Sequence, residues 1–247
     1  MGYDPDTSLG GPYNGFPSTR QSLLVSATGS EQGIRREALG AIAAAYWKPV
    51  YKYIRLRWRK SNDESKDLTQ HFFAEMLEGS WLADFDPARA SFATYLRLCL
   101  DGFVSNRNRA DGRLKRGGGI ELVSLDFETA ERELPAPANG EISMEEYFHR
   151  EWQREMFALA VEDLRALARQ KGKDVPLQVF EDHDLVEEPP GYAELARRYG
   201  LPETAVTNYL AWARRELRRL LLERLAELTG GERDFRREAR ELFGPKR

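Results

Sequence analysis

Apolar residues recur at intervals of three or four along most of the chain, the spacing that places side chains on one face of an α-helix. The first such face comprises Leu39, Ile42, Tyr46, Val50 and Ile54. The alternation of apolar and polar residues that is typical of a half-buried strand is nearly absent, and residues 122–125 are its one short candidate. The hydrophobic pattern therefore predicts an all-α protein.

Helix start and stop signals divide the first half of the chain into three predicted helices. Ser61 is a suitable N-cap for the second of them, which we expect to span about Glu64 to Glu78. The run Asp84-Phe85-Asp86-Pro87 predicts a turn. Ser91 is a suitable N-cap for the third helix, which should end near Ala110.

The composition changes where this third helix ends. Residues 113–146 contain a run of glycines, a Pro- and Ala-rich stretch and an excess of acidic over basic side chains. This composition predicts a flexible acidic linker between two small helical domains, at residues 20–112 and 147–229. We expect residues 1–19 to form a flexible N-terminal arm. Residues 230–247 form a charged C-terminal tail, either a short docking helix or a frayed end.

The second domain contains a helix-turn-helix pattern after a long predicted helix that stops at Gly172. Within Tyr192–Leu210, Leu195 and Ala196 lie on the inner face of the first helix, and Gly200 occupies the turn, where a positive φ angle favours glycine. In this motif the exposed face of the second helix enters the major groove of DNA. The candidate base contacts are Glu203, Thr204, Thr207 and Asn208, and the candidate phosphate contacts are Arg214, Arg215 and Arg218. The structural alternative is an ordinary helical hairpin with a solvated arginine face.

Aromatic and basic residues interleave in the first half of the chain, over residues 46–60 and again over residues 85–109. This combination suits unpaired bases, because bases stack on aromatic rings while the phosphate backbone pairs with Lys or Arg. The alternative is that most of the rings belong to the core and that the charges belong to solvated helix faces.

Composition narrows the function classes further. The chain of 247 residues is 41% hydrophobic and 31% charged, which excludes a disordered protein. Its formal net charge of -3 argues against an indiscriminate polyanion binder, although this sum averages basic helices with the acidic linker. The single cysteine, Cys99, excludes a disulfide framework. The histidines are too far apart in sequence for an HExxH metal motif, so we expect no cofactor and no metal; they are His71, His149 and His183.

No apolar run approaches the length of about 20 residues that spans a bilayer. The first residues lack the charged and apolar regions of a signal peptide. From these two features we expect a cytoplasmic protein without membrane insertion.

With both halves in view, the chain resembles the extracytoplasmic-function (ECF) sigma factors of bacterial RNA polymerase over roughly residues 22–228, apart from the linker. Residues 67–77 look like the family's core-polymerase-binding helix. Residues 85–87 and 91–96 look like its promoter-melting and minus-ten segment, and residues 192–225 look like its minus-thirty-five helix-turn-helix. The order and spacing of these segments carry the resemblance.

The resemblance implies a sigma factor that directs promoter recognition and transcription initiation by binding core RNA polymerase and promoter DNA, with an anti-sigma factor or another regulator as a further partner. The implied polymerase-docking residues are Asp67, Gln70, His71 and Glu75. The implied minus-ten contacts are Phe85, Arg89, Phe92, Tyr95, Arg97, Arg107 and Arg109. Four positions of the third predicted helix depart from the family pattern: Tyr95, Asp101, Gly102 and Asn106. The linker is expected to run toward the active-site and RNA-exit region of the polymerase, or to be a plain acidic spacer.

Other function classes remain open on the residues alone. The main alternative is a stand-alone helix-turn-helix transcriptional regulator whose N-terminal half binds an effector or dimerises. An enzyme has little support, because Lys115-Arg116-Gly117-Gly118-Gly119 lacks the ending of a Walker loop and Cys99 lies on an apolar helix face. The last alternative is a purely structural adaptor, in which the predicted helix-turn-helix would have no evident function.

Overall fold

The computed structural model describes residues 23–28, 32–79, 81–110, 125–135 and 142–243. Within these ranges the chain consists of helices and short connections and contains no strand, which confirms the all-α prediction. The predicted N-terminal arm and residues 122–124 of the strand candidate lie outside the described residues.

The helices follow the predicted order, with additions at both ends and in the middle. The first part of the chain forms α1 (Leu23–Thr28), α2 (Gln32–Arg57), α3 (Asn62–Glu78), a short 3-10 helix (Trp81–Asp84) and α4 (Phe92–Ala110). The rest forms α5 (Phe127–Arg132), α6 (Met144–Lys171), α7 (Asp174–Asp184), α8 (Tyr192–Tyr199), α9 (Glu203–Glu227) and α10 (Glu232–Phe243).

Local signals set several of these boundaries where the sequence placed them. The Ser61 hydroxyl accepts the Glu64 backbone N–H at 3.3 Å, and the Glu64 carboxylate accepts the Ser61 N–H at 3.0 Å, which completes a capping box at the start of α3. The Ser91 hydroxyl accepts the Thr94 N–H at 3.2 Å at the start of α4. Gly172 ends α6 with a φ of 61°, the left-handed conformation that favours glycine.

Helix α2 forms the centre of the core. Its predicted apolar face is buried, with no exposure at Ile42, Tyr46, Val50 or Ile54. Helices α1, α3, α5 and α6 all pack against it. Most of the tyrosines of the interleaved segment on α2 therefore belong to the core, as the structural alternative proposed.

Helix α6 joins the two halves of the chain through α2. The Tyr46 and Trp152 rings stack with centroids 5.9 Å apart, and Tyr53 meets Phe148 edge-on at 5.5 Å. Between these ring pairs the Lys52 Nζ donates to Glu151 Oε2 at 2.6 Å, and the two side chains are only 2% and 3% exposed. One hydrophobic core thus runs through both halves of the described chain. The division into two domains stays a prediction.

Part of the acidic segment differs from the expected flexible linker, because residues 127–132 form α5 and pack on α2. The Phe127 ring lies 5.4 Å from the Trp47 ring and 5.2 Å from the Tyr51 ring, measured between centroids. Ala130 is fully buried beside them. Apolar side chains spaced along one turn thus give this short helix a contact face on α2, although the surrounding composition is polar.

Ion pairs reinforce the same contact. The Glu131 carboxylate accepts the Arg55 Nε at 2.8 Å, and the hydrogen bond from Arg55 lowers the pKa of Glu131. The Glu133 carboxylate accepts Lys48 at 3.0 Å and Lys52 at 2.8 Å. The described residues 127–133 therefore cover the basic face of α2, since Glu131 and Glu133 have cationic partners within reach. Residues 113–124 and 136–141 of the predicted linker lie outside the described residues.

The described part of the C-terminal tail forms α10, the docking-helix alternative of the sequence analysis. Phe235 is fully buried, and Asp234 and Glu238 are buried at 0% and 2% exposure. The Asp234 carboxylate accepts the Gly230 N–H at 3.1 Å and also hydrogen-bonds the Phe92 backbone at the start of α4. Burial raises the pKa of Glu238 to about 7, and its carboxylate contacts the Ser91 side chain.

Candidate nucleic-acid interface

Helices α8 and α9, joined by a short turn at Gly200, cover the residues predicted to form a helix-turn-helix. Gly200 follows α8 with a φ of 64°, and the Leu201 N–H donates to the Ala196 carbonyl oxygen at 2.8 Å across the turn. Leu195 and Val206 are fully buried between the two helices, and Ala196 is 8% exposed. The small alanine lets α9 cross closely over α8, as this motif requires.

The predicted base-contacting residues lie together on the first two turns of α9. Glu203, Thr204 and Asn208 are exposed. Thr207 is half-buried, and its hydroxyl donates to the Glu203 carbonyl oxygen at 3.2 Å. This face carries hydrogen-bonding groups at the end of the helix that the motif presents to a major groove.

The predicted phosphate-contacting arginines on α9 differ in their exposure and in their partners within the protein. The Arg214 guanidinium is 12% exposed and donates to both carboxylate oxygens of Asp184 at 2.6 and 2.7 Å. Burial acts to raise the pKa of Asp184, but the hydrogen bonds from Arg214 and His183 outweigh it and lower that pKa. Arg214 therefore fixes α9 to the end of α7 in this conformation. Arg215 is exposed. Arg214 and Asp184 are 30 positions apart, so no local sequence pattern indicates this pairing.

Arg218 lies on α9, and its side chain packs against α10. Its guanidinium sits over the Phe243 ring, 4.4 Å from the centroid, and burial lowers its pKa. A cation over an aromatic face is stabilised by the ring quadrupole. Arg218 thus links the helix-turn-helix to the C-terminal helix.

The aromatic residues of the predicted minus-ten set cluster around the loop between the 3-10 helix and α4. The Phe85 ring lies 5.2 Å from the Phe92 ring and 5.3 Å from the Tyr95 ring. Phe92 is 1% exposed and belongs to the core, whereas Phe85 and Tyr95 are half-buried. The Tyr95 hydroxyl donates to the Trp81 carbonyl oxygen at 2.6 Å. The loop is therefore held by its own aromatic side chains.

The four arginines assigned to this region occupy different environments. Arg89 is exposed on the loop, 3.3 Å from Asp86, and Arg109 is exposed at the end of α4. Arg97 is 12% exposed and donates to Asp101 at 3.1 Å and to Glu145 at 3.0 Å. Arg107 pairs with Glu75 and lies over the Phe103 ring at 5.0 Å. Arg89 and Arg109 are thus the two that present open faces.

The C-terminal segment covers the inner side of this loop, an arrangement that the sequence did not reveal. A β-carbon at Gly230 would lie 2.6 Å from the Phe85 ring and 2.9 Å from Pro87. Asp234 and Glu238 contact the first residues of α4. The amphipathic pattern of residues 232–243, with Phe235, was the available signal for a docked helix.

The predicted polymerase-docking residues share one side of α3. Asp67 and Gln70 are exposed, and His71 and Glu75 are half-buried. The His71 Nδ1 lies 2.8 Å from the Asp67 carbonyl oxygen, and Glu75 pairs with Arg107 of α4. The opposite side of α3 buries Phe72 and other core residues. The rigid amphipathic helix leaves this polar face open to a partner.

A model of the ECF sigma factor family matches residues 50–223, from α2 to α9. The chain belongs to the ECF sigma factor family. Searches of curated proteins and of solved structures found no further match.

Membership makes the protein a sigma factor for transcription initiation, and it belongs to a non-enzymatic, DNA-binding family. The match begins inside α2 and ends inside α9, so α1 and α10 of this sigma factor lie outside it. Among the described helices of the sigma factor, none is long and apolar enough to cross a membrane.

Proposed function

We propose that the protein binds bacterial core RNA polymerase and directs it to promoters by contacting both the minus-thirty-five and the minus-ten elements. The observation that carries this proposal is the family match across both halves of a chain whose second half has helix-turn-helix geometry. On this proposal the protein acts in the cytoplasm, where the polymerase works.

The helix-turn-helix would bind the upstream duplex. Glu203, Thr204, Thr207 and Asn208 are at the end of α9 that faces a groove, and Arg215 is placed to reach a phosphate. Arg214 would act mainly by holding α9 against α7, since Asp184 already takes its hydrogen bonds.

The loop at residues 84–91 would capture an unpaired base of the minus-ten element. Unstacking a base costs a few kcal/mol, which contacts with Phe85 and Tyr95 offset. Arg89 supplies an exposed cation beside the loop, and Arg109 supplies one at the other end of α4 for a phosphate farther along the strand. Because the segment around Gly230 packs on Phe85, this segment must separate from the loop before the ring can receive a base.

The exposed part of α3 would dock on the polymerase. Asp67 and Gln70 offer hydrogen-bonding groups on a rigid helix, the kind of surface that gives a specific protein interface. His71 and Glu75 lie beside them but have partners within the protein.

Run-off transcription with core polymerase on a promoter library tests the proposal. Adding the protein should create start sites that core polymerase alone does not use. Asn208→Ala should weaken upstream footprints, whereas Gln178→Ala, an exposed amide change on α7, should leave them intact. The proposal fails if no new start sites appear.

A stand-alone regulator gives a different result in the same assay. Such a protein would bind duplex promoter DNA without core polymerase, because its helix-turn-helix alone supplies the affinity. We expect specific promoter binding only when core polymerase is present.

A further inference from the structure

Helices α6 and α10 bring three metal-ligating side chains together. His149 lies on α6, and Glu238 and Glu241 lie on α10 at a spacing that places both on one face. The His149 Nε2 is 2.6 Å from Glu241 Oε2 and 3.6 Å from Glu238 Oε2. The three donor atoms all lie within 4.8 Å of one another.

Glu238 gives independent evidence that a cation belongs here. Its side chain is buried, and its Oε2 atom, the one aimed at His149, has no hydrogen-bond partner in the described part of the chain. Burying a carboxylate oxygen without a partner is costly, and such groups in native proteins are usually satisfied by a donor, water or an ion. A metal ion at this oxygen would supply the missing partner.

The neighbouring arginines already have other carboxylates. A cavity of about 450 Å³ is lined by the three candidate ligands and also by Arg89, Arg97 and Arg237. Arg89 pairs with Asp86 at 3.3 Å, Arg97 pairs with Asp101 and Glu145, and Arg237 pairs with Asp234. Within the described residues, His149 is therefore the basic side chain that pairs directly with Glu238 and Glu241, while Arg237 acts on Glu241 from a greater distance.

We propose that His149, Glu238 and Glu241 form a binding site for a divalent transition-metal ion of the Zn²⁺ class, which ties α10 to α6. One imidazole nitrogen and two carboxylate oxygens are a donor set that such ions accept, with water completing the coordination. This site differs from the sequence-based expectation of no metal, because its ligands come from helices about 90 residues apart.

The geometry requires only a small adjustment. Donors bound tetrahedrally to Zn²⁺ at about 2.0–2.2 Å lie about 3.4 Å apart. The distance of 3.6 Å between His149 and Glu238 is close to this value. Glu241 is 49% exposed in the last turn of α10, so its carboxylate can move away from its direct hydrogen bond to admit the ion. The Gln153 side-chain amide, 3.1 Å from the same His149 nitrogen, can then pair with a ligand oxygen or the metal-bound water.

The competing explanation is a plain ion pair between His149 and Glu241. An ion pair would stabilise α10 in the absence of any metal, and it would leave the Glu238 oxygen without a partner. The two explanations differ in one measurable property, which is whether zinc changes the stability of the protein and binds it at one equivalent.

The test uses the full-length chain without a histidine tag, stripped with a chelator and then dialysed against ZnCl₂. We expect about one zinc per chain and a zinc-dependent rise in melting temperature, because a ligand that binds only the folded state stabilises it. His149→Gln and Glu241→Gln should each weaken zinc binding by about tenfold or more, since even the loss of an outer-shell partner costs about 10–100-fold.

Matched controls are Glu232→Gln, an exposed carboxylate on the same helix, and His71→Gln, a histidine on α3. Both should bind zinc like the unaltered chain, and far-ultraviolet circular dichroism checks that all variants are folded. The proposal is overturned if the unaltered chain takes up no stoichiometric zinc. It is equally overturned if His149→Gln and Glu241→Gln bind zinc as tightly as the two controls.

Discussion

At the residue scale, residues of the same type differ in their role according to the groups that they contact. Arg214 and Arg215 are adjacent in sequence, yet the first is bound to Asp184 and the second is exposed. Gly102 lies within α4 and Gly230 lies just before α10, yet of the two only Gly230 has another part of the chain against it. Neither difference is visible in the local sequence.

The two arginines should therefore separate stability from DNA binding. Arg214→Ala should lower the free energy of unfolding by about 1.5–3 kcal/mol, because it removes charged hydrogen bonds between α9 and α7. Arg215→Ala should leave stability unchanged, weaken promoter binding and reduce the salt-dependence slope by about one. Urea titration and salt-dependent binding of the polymerase complex measure these effects. Equal loss of stability in both variants would contradict the assignment.

The two glycines give a second matched pair. Gly230→Ala should lower the free energy of unfolding by about 1–3 kcal/mol, because the added methyl group overpacks the contact with Phe85 and Pro87. Gly102→Ala, on an exposed helix face with open space around it, should raise it by about 0.5–1 kcal/mol. Urea unfolding of both variants checks the signs. A neutral Gly230→Ala would show that the C-terminal segment does not pack on the loop in solution.

At the scale of elements, α5 depends on charge as well as on apolar contact. Its Phe127 packs on Trp47, while Glu131 and Glu133 pair with basic residues of α2. Burial acts to raise the pKa of Glu133, but hydrogen bonds from Lys52 and Lys48 outweigh it and lower that pKa. Docking of α5 is thus linked to the ionisation of both carboxylates.

This linkage predicts that α5 detaches in acid. The pKa of Glu131 is lowered in the folded protein by Arg55, so its contribution is fully present above the unfolded value of 4.5 and is lost as the pH falls through the lower folded value. Trp47 fluorescence, which senses Phe127, should change over that range. Glu131→Gln should weaken docking at neutral pH and reduce the acid transition, whereas the exposed Glu128→Gln should not. An identical transition in Glu131→Gln would exclude this origin.

At the scale of the whole molecule, α6 makes the two halves one packed structure. Trp152 is 1% exposed and stacks on Tyr46 of α2, and the hydrophobic core continues from there to α9 and α10. Such a shared core couples the stability of helices that are distant in sequence.

We expect Trp152→Ala to lower the free energy of unfolding by about 3–5 kcal/mol, because it leaves a cavity in the shared core. Hydrogen exchange followed by mass spectrometry should show faster exchange in both α3 and α8, which lie in different halves. The exposed Arg150→Ala, two residues earlier on α6 and paired with the exposed Glu146, serves as the control. Faster exchange in only one half would show that the halves are independent in solution.

The sequence by itself determined the features that depend on neighbouring residues. The helical periodicity gave the all-α fold, Ser61 and Ser91 marked helix starts, and Gly200 marked the turn of the helix-turn-helix. These signals are local, because caps, turns and amphipathic faces involve residues only a few positions apart. The order of the motifs also indicated the sigma-factor family, which the family match established.

Only the tertiary structure decided which charged and aromatic side chains already have partners within the protein. Helix α5 and Glu133 pack on the basic face of α2, Arg214 binds Asp184, and α10 lies against the start of α4. It also assembled His149 with Glu238 and Glu241 from two helices that no short motif connects. Composition and spacing show which charged and aromatic residues are present but not which of them contact each other. Those contacts depend on how helices distant in sequence pack to bury their apolar faces.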